Sequence, residues 1–307
     1  MKPSQITGLI FLVCVNFIFT ACADSRATAL RTDESADLRL PTPTPKADFS
    51  IPEGWVLFPA PKPESDERTC ANHTIELERK VELIAGNLKI SRYIYNSAEP
   101  LGKLPEDLRK IVAGDKTAKG YLHIEPFENG WLIGADAGEW GGDLFWLSSD
   151  GKSKTELLKD NVRGIVRLGK EVFILSGLAH LSIDEGKLYK LKTGENAALK
   201  VELVSDLKSQ PQTFAVETDE SFVVTLNNKI LRVKITGEIE TLKETNFDYL
   251  YPNSMAVTPA GIIYVGMRFF TVRFMPQKNG YAEEWLVPQN CQKFVEKDFD
   301  CVCRNAK

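Results

Sequence analysis

Residues 222–242 read FVVTLNNKILRVKITGEIETL and hold three short runs rich in Val, Ile, Leu and Phe. Asn227-Asn228 separate the first run from the second, and Thr236-Gly237 separates the second from the third. Runs of this length and composition, divided by turn residues, favour strands over helices. The stretch therefore predicts three consecutive antiparallel strands joined by short turns.

The same pattern recurs at intervals of about 40 to 50 residues. The first runs of the repeats begin at Trp131, Val172, Phe222 and Ile262. A second run follows each, at residues 144–147, 179–183, 230–235 and 269–274. In three repeats a glycine turn then leads to a third run; these turns are Asp150-Gly151, Glu185-Gly186 and Thr236-Gly237. The fourth repeat has a longer loop there, at residues 276–280, and other candidate strands precede the first runs, at residues 165–168, 213–216 and 255–257.

Four strands in such a unit predict a blade of an all-β fold, the β-propeller. One four-stranded sheet cannot bury both of its faces alone, whereas sheets packed face to face around an axis can. We expect five blades, with six as the alternative. Residues 51–96 supply one irregular blade, closed by a strand from the C-terminus, and residues 105–112 form a short helix.

Residues 251–265, YPNSMAVTPAGIIYV, resemble a stretch found in propellers of the gluconolactonase, strictosidine-synthase and NHL-repeat kind. The resemblance covers one blade and implies the fold, not an activity, because such blades serve many functions. In lactonase-type propellers an asparagine at the position of Asn253 binds a metal ion. The acidic ligands that accompany it there are not evident in this sequence.

The N-terminus has the features of an export signal. Residues 1–21 carry Lys2 followed by an apolar stretch, and residues 19–22, FTAC, resemble a bacterial lipobox in which Cys22 receives the lipid. An ordinary signal peptide cleaved after Ala23 is the alternative. Residues 22–50 are rich in Pro and Thr and predict an extended tether, which leaves residues 51–307 as the folded domain. The expected product is a membrane-anchored lipoprotein of the periplasm or cell surface, or else a soluble secreted protein.

Charge and cysteine content narrow the possible partners. The formal net charge is −4, and no polybasic run occurs, so nucleic acid is excluded as a partner. Four cysteines lie in the predicted domain: Cys70, Cys291, Cys301 and Cys303. In an exported chain they predict two disulfides, with Cys70 joined to one of the C-terminal three; a zinc site of four thiolates is the alternative.

The propeller geometry predicts where a site lies. The link between the second and third strands of a blade reaches the same rim as the link into the next blade. The polar and aromatic residues on these links are Asp136, Glu139, Trp140, Asp143, Asn161, Arg163, His180, Gln212, Asn227, Asn228, Asn253 and Arg268. We expect them to surround one mouth.

The loop of residues 136–143, DAGEWGGD, is the most suggestive element of that mouth. Its carboxylates suit a hard cation, and its tryptophan suits a sugar ring. A glycine-rich turn with solvated acids and one packed aromatic is the alternative. His180 is a candidate general base, or else a packed strand residue.

Two functions follow from these observations. The first is a non-enzymatic envelope protein that binds a protein or glycan partner through one rim and needs no cofactor. The second is a metal-dependent lactonase- or esterase-like hydrolase, in which Asn253, Glu139, Asp136 and His180 surround Ca²⁺ or another divalent ion. The sequence favours the first, because the ring of carboxylates that the second needs is missing.

Overall fold

The computed structural model describes residues 51–60, 78–94, 99–195, 198–247, 250–268 and 270–289. The predicted signal peptide and tether lie outside these ranges, as do Cys22, Cys70, Cys291, Cys301 and Cys303. The described part is built of strands, with one α-helix, α1 (Glu106–Ala113), and two short 3-10 turns, Pro100–Lys103 and Gly138–Trp140. No helix in these ranges is long and apolar enough to cross a membrane.

Nineteen strands form five antiparallel sheets in the described ranges. The N-terminal strands are β1 (Trp55–Pro59), β2 (Arg79–Ile84) and β3 (Asn87–Arg92). The first sheet contains β4 (Tyr121–Phe127), β5 (Gly130–Asp136), β6 (Leu144–Ser148) and β7 (Lys154–Leu158). The second contains β8 (Val162–Leu168), β9 (Glu171–His180), β10 (Ile183–Thr193) and β11 (Leu199–Asp206). The third contains β12 (Pro211–Thr218), β13 (Ser221–Leu226), β14 (Lys229–Lys234) and β15 (Ile239–Glu244). The fourth contains β16 (Ser254–Val257), β17 (Ile263–Gly266), β18 (Thr271–Gln277) and β19 (Gly280–Pro288), with β1 on its outer edge, and β2 and β3 pair as a separate N-terminal hairpin.

The strand order confirms the repeat predicted from residues 222–242. Its three runs are β13, β14 and β15, paired antiparallel in chain order, with Val223 opposite Arg232. The turn between β14 and β15 holds Gly237 at φ +92°, a left-handed conformation that suits glycine. Gly151, in the turn between β6 and β7, has φ +70° for the same reason.

The second sheet departs from the predicted pattern. Strand β9 continues to His180 and β10 begins at Ile183, so the turn is Leu181-Ser182, not Glu185-Gly186. Gly186 instead pairs with Gly177 inside the ladder, and a Cβ on Gly186 would lie 2.0 Å from the Ser209 carbonyl oxygen. This glycine therefore permits a close approach of two backbones rather than a turn. The third run of this repeat is likewise part of β10, and β11 is the outer strand.

The two ends of the domain also close differently from the prediction. Strand β1 pairs with β19, with Trp55 opposite Pro288, so an N-terminal strand completes the C-terminal sheet. The hairpin of β2 and β3 stays separate and lies against β16, where the amide of Val81 donates to Ser254 Oγ at 3.0 Å. The predicted loop at residues 276–280 is shorter than expected, since Gln277 and Gly280 already pair.

The sheets pack face to face in chain order. Phe173 of the second sheet contacts Phe222 of the third, with ring centroids 5.6 Å apart. Leu132 and Val162 join the first sheet to the second in one buried cluster, and α1 covers the other face of the first sheet. The fourth sheet is buried between the third sheet and the N-terminal hairpin. This arrangement of four-stranded antiparallel sheets is of the propeller type.

Candidate functional site

A cavity of about 1300 Å³ opens at the rim where the β5–β6, β9–β10 and β15–β16 links meet. Eight of the twelve residues predicted for the rim line it, among them Asp136, Glu139, Trp140, Asp143, Arg163, His180 and Gln212. Asn227, also predicted on these links, lines it too. The cavity therefore draws its lining from the first three sheets and from connecting segments, including the one that leads into the fourth sheet.

Asp136 is the anchor of the β5–β6 loop. Its side chain is only 4% exposed, and Oδ2 lies 2.5 Å from Nη1 of Arg163 on β8. The other oxygen, Oδ1, accepts a hydrogen bond from the amide of Gly138 at 2.9 Å. Arg163 Nε also donates to the Pro211 carbonyl oxygen at 3.2 Å. One ion pair thus connects the first, second and third sheets beneath the cavity, and it neutralises a carboxylate that burial alone would disfavour.

The loop that follows Asp136 is held in one shape. The amide of Ala137 donates to the Gly141 carbonyl at 2.9 Å, and Asn161 Nδ2 donates to the Gly138 carbonyl at 2.8 Å. A Cβ on Gly142 would lie 2.2 Å from the Ala135 carbonyl oxygen, so only glycine fits there. The side chain that this loop presents is Trp140, which is 83% exposed.

A two-stranded ribbon stands beside Trp140. Residues 178–180 of β9 and 183–185 of β10 pair only with each other among the described strands. His180 Nε2 lies 2.9 Å from Glu139 Oε2, which ties the ribbon to the β5–β6 loop. At the turn, Leu181 is 95% exposed and has φ +55°, a conformation that non-glycine residues rarely adopt.

A chain of hydrogen-bonded polar side chains leads from this ribbon to the third sheet. Asp184 accepts hydrogen bonds from Ser209 Oγ at 2.8 Å and from the amide of Gln210 at 2.7 Å. Gln212 Nε2 donates to Gln210 Oε1 at 3.1 Å and to Asn227 Oδ1 at 2.7 Å. This network fixes three carboxamide groups at the cavity surface, since each is held by its neighbour.

Comparison with known proteins gives only remote similarities. No protein-family model and no curated protein matches the sequence. Among solved structures, the chain is similar to the extracellular domain of a hybrid two-component system from B. thetaiotaomicron, at 11% identity and TM-score 0.39, covering 54% of this chain and 22% of that one. It is also similar to virginiamycin B lyase from Staphylococcus aureus (15%, TM-score 0.39, 56% of each chain) and to the calcium-binding protein regucalcin from Agrobacterium tumefaciens (13%, TM-score 0.39, 69% of this chain and 75% of that one).

These neighbours are propeller-like proteins. The chain spans about a fifth of the length of the first and just over half of the second. At TM-scores below 0.5 they carry no argument about the site. What the cavity does is therefore argued from its own residues.

Four predicted rim residues do not line the cavity: Asn161, Asn228, Asn253 and Arg268. Asn161 is 5% exposed and supports the β5–β6 loop from beneath through its bond to Gly138. Asn253 accepts a hydrogen bond from Ser254 Oγ at 2.8 Å, next to the N-terminal hairpin. The guanidinium of Arg268 lies 3.4 Å from the ring centroid of Tyr251 and so positions that ring, which does line the cavity.

The predicted metal ligands are only partly together. Asp136, Glu139 and His180 line the cavity, whereas Asn253 does not. In the described ranges, no group of three or more His, Cys, Asp or Glu side chains is arranged to hold a metal ion. The Asp136 carboxylate is already in an ion pair with Arg163, and Glu139 Oε2 already contacts His180 Nε2 at 2.9 Å.

His123 on β4 lies near the Asp136–Arg163 pair. Burial, and then the positive charge of Arg163, lower the pKa of its imidazole from 6.5 to about 4. His123 is therefore neutral at physiological pH and acts as a packed residue of the sheet, as its position in a plain strand run indicates.

Sequence reasoning missed several lining residues. Tyr121, Asp184, Leu181, Ile183 and Tyr251 all line the cavity. Tyr251 stands two positions before Asn253, so the rule that placed Asn253 on the rim could have found it. Leu181 and Ile183 were missed because the turn between β9 and β10 carries no glycine, asparagine or proline to mark it.

Proposed function

We propose that this chain is an exported envelope lipoprotein, anchored through Cys22, whose propeller domain binds a protein or glycan partner at the cavity mouth. In this proposal the N-terminal hairpin serves as a fifth blade. Tyr93, just after β3, supports that closure: burial raises the pKa of its hydroxyl, and the neighbouring Tyr121 on β4 raises it further. The hairpin therefore approaches the first sheet as well as the fourth.

The observation that carries the binding proposal is the exposure of Trp140 on a fixed loop. A tryptophan that is 83% exposed leaves a large apolar surface in water, which is unfavourable for the isolated domain. Hydrogen bonds and a close glycine packing hold it there, so the exposure is built into the loop. Tryptophans fixed in this way are frequent anchors of binding sites.

A pull-down from the solubilised envelope tests this role. We expect the wild-type chain to retain a partner that the Trp140→Ala chain does not retain. Leu203→Ala is the matched control, since Leu203 is 58% exposed on β11 and does not line the cavity. Equal recovery by all three chains would contradict the proposal.

The anchor is tested separately. Residues 19–22 and the Pro- and Thr-rich segment after them support a lipidated Cys22 on a spacer. Cys22→Ser, or treatment with globomycin, is expected to abolish retention in the membrane fraction. A fully soluble product in the untreated wild type would refute lipidation and leave the binding proposal standing.

The second candidate is the metal-dependent hydrolase with Ca²⁺ or another divalent ion. The observation in its favour is that Asp136, Glu139 and His180 line one cavity. Calorimetric titration with Ca²⁺, Zn²⁺ or Mn²⁺ distinguishes it from the first candidate. Stoichiometric binding that Glu139→Ala abolishes would favour the hydrolase, and the absence of heat would favour the binding protein.

A further inference from the structure

We infer that the ligand of the cavity is a neutral carbohydrate chain, with Trp140 as the surface on which a sugar ring stacks. This inference rests on the proposed binding function and names the chemical class of its ligand. It depends on five features of the cavity: its aromatic rings, the backbone conformation at its mouth, its unused hydrogen-bonding groups, its charge and its size.

Three exposed aromatic side chains line the cavity. Trp140, Tyr251 and Tyr121 are 83%, 45% and 48% exposed; the first two lie on links between strands, and Tyr121 begins β4. A sugar ring offers C–H bonds on its faces, which the electron-rich face of an aromatic ring attracts. Several exposed rings carried by different segments suit successive units of a chain, whereas a protein partner is better served by one continuous apolar core.

The backbone conformation at the mouth supports a binding role. Leu181 and Tyr251 are two of the five non-glycine residues with positive φ in the described ranges, at +55° and +53°. Such conformations are strained and cluster at ligand sites. Both side chains line the cavity and are exposed.

Polar groups with unused hydrogen-bonding capacity lie between the aromatic rings. No hydrogen bond of the described residues uses the Asp143 carboxylate, Gln212 Oε1 or Asn227 Nδ2. The first two of these groups accept hydrogen bonds, and Asn227 Nδ2 donates them. A sugar hydroxyl both donates and accepts, so it can pair with all three, whereas a ligand group that only donates or only accepts cannot.

The charges of the lining nearly cancel. Lys116, Lys119 and Arg163 are positive, and Asp136, Glu139, Asp143 and Asp184 are negative. Arg163 and His180 already pair with Asp136 and Glu139. Three positive and four negative side chains leave a formal charge of −1 when the histidine is not counted, so the cavity attracts neither an anion nor a cation strongly.

The size of the cavity fits a chain rather than a single small molecule. Its volume of about 1300 Å³ exceeds the roughly 300–1,000 Å³ of typical small-molecule sites. A chain of several sugar rings would use both the volume and the three exposed aromatic rings.

Titration with defined sugars tests the inference. The full chain, kept in a polyoxyethylene detergent that has no sugar headgroup, is titrated with cellohexaose, maltohexaose, mannohexaose and N-acetylchitohexaose. Trigalacturonic acid is the charged comparison. We expect saturable binding of at least one neutral hexaose, weakened at least about tenfold by Trp140→Ala and unchanged by Leu203→Ala.

Two results would overturn the inference: binding of trigalacturonic acid alone, or no binding of any hexaose. Retention of envelope material by the wild-type and Trp140→Ala chains then shows whether the proposed binding function fails as well as the carbohydrate inference. If retention depends on Trp140 but is lost after proteinase K digestion of the envelope, the partner is a protein. That result overturns only the inference of a carbohydrate ligand. Recovery that does not depend on Trp140 overturns both.

Discussion

Arg163 and Asp136 form an ion pair between neighbouring sheets, with 2.5 Å between Nη1 and Oδ2, directly beneath the cavity. The same guanidinium donates to the Pro211 carbonyl at the start of the third sheet. Asp136 in turn holds the amide of Gly138, so the pair fixes the start of the loop that carries Trp140. The stability of the domain and the shape of the candidate site therefore share one contact.

Arg163→Met is expected to destabilise the domain strongly. It leaves the buried Asp136 carboxylate without its cation, which costs about 3 kcal/mol in the free energy of unfolding. Asp136→Asn combined with Arg163→Met removes the stranded charge, so the double variant should recover part of the loss. Urea denaturation of the four chains measures this coupling. A loss below about 1 kcal/mol for Arg163→Met would contradict the assigned role of the pair.

Gly142→Ala is expected to distort the loop. The added Cβ would lie 2.2 Å from the Ala135 carbonyl oxygen and 2.8 Å from Asn161 Cα, both of which belong to the backbone. Forced overpacking of this kind costs about 1 to 3 kcal/mol. Gly102→Ala is the control, because nothing lies within 4 Å of its added Cβ. Thermal unfolding should separate the two variants, and equal midpoints would show that the loop relaxes freely.

Ser254→Ala is expected to loosen the N-terminal hairpin. Its hydroxyl accepts from the amide of Val81 at 3.0 Å and donates to Asn253 Oδ1 at 2.8 Å. Loss of these bonds costs about 1 to 2 kcal/mol and should speed hydrogen exchange at the Val81 amide. Thr271→Val is the contrast, since the buried Thr271 Oγ1 has no hydrogen-bond partner in the described ranges. That variant should keep or gain stability, and a loss as large as that of Ser254→Ala would refute this distinction.

The stability of the domain should fall in mild acid partly because of His123. Its pKa is about 4 in the folded state and 6.5 as an ordinary histidine. Above pH 6.5 the imidazole is neutral in both states, so it has no effect on the pH dependence of stability. Between 6.5 and 4 the unfolded chain binds the proton first, and the folded state loses at most about 3 kcal/mol; below 4 the loss is constant.

Denaturation curves at pH 7.5 and 5 measure this contribution. The loss of stability between them should be smaller in His123→Gln than in the wild type, because glutamine does not titrate. NMR titration of the His123 imidazole provides the direct check. A midpoint near 6.5 in the folded protein would contradict the burial assigned to this side chain.

The local sequence predicted the turns in which a glycine adopts a left-handed backbone conformation. Gly151 and Gly237 both have positive φ, and both predicted turns are present. Glu185-Gly186 looked the same in the sequence, but Gly186 serves the approach of the Ser209 backbone from the next link. That requirement comes from a contact in the tertiary structure, and the neighbouring sequence contains no signal for it. The actual turn places Leu181 in a left-handed conformation that no propensity rule selects.

The grouping of the rim residues followed from topology alone, because antiparallel blades return their links to the same rim. What topology could not supply is the direction and pairing of each side chain. Asn161 stands just before β8 and Gln212 near the start of β12, yet Asn161 is buried beneath the loop and Gln212 lines the cavity. The pairing of Asp136 with Arg163 likewise depends on how closely two sheets approach.

Photo-crosslinking at position 140 tests most directly whether the cavity mouth is the binding surface. Chains that carry p-benzoylphenylalanine in place of Trp140 or of Leu203 are irradiated in intact cells, and their electrophoretic mobilities are compared. The account predicts a crosslinked species from position 140 and none from position 203. Absence of the species at 140, or equal yields at both positions, would contradict it.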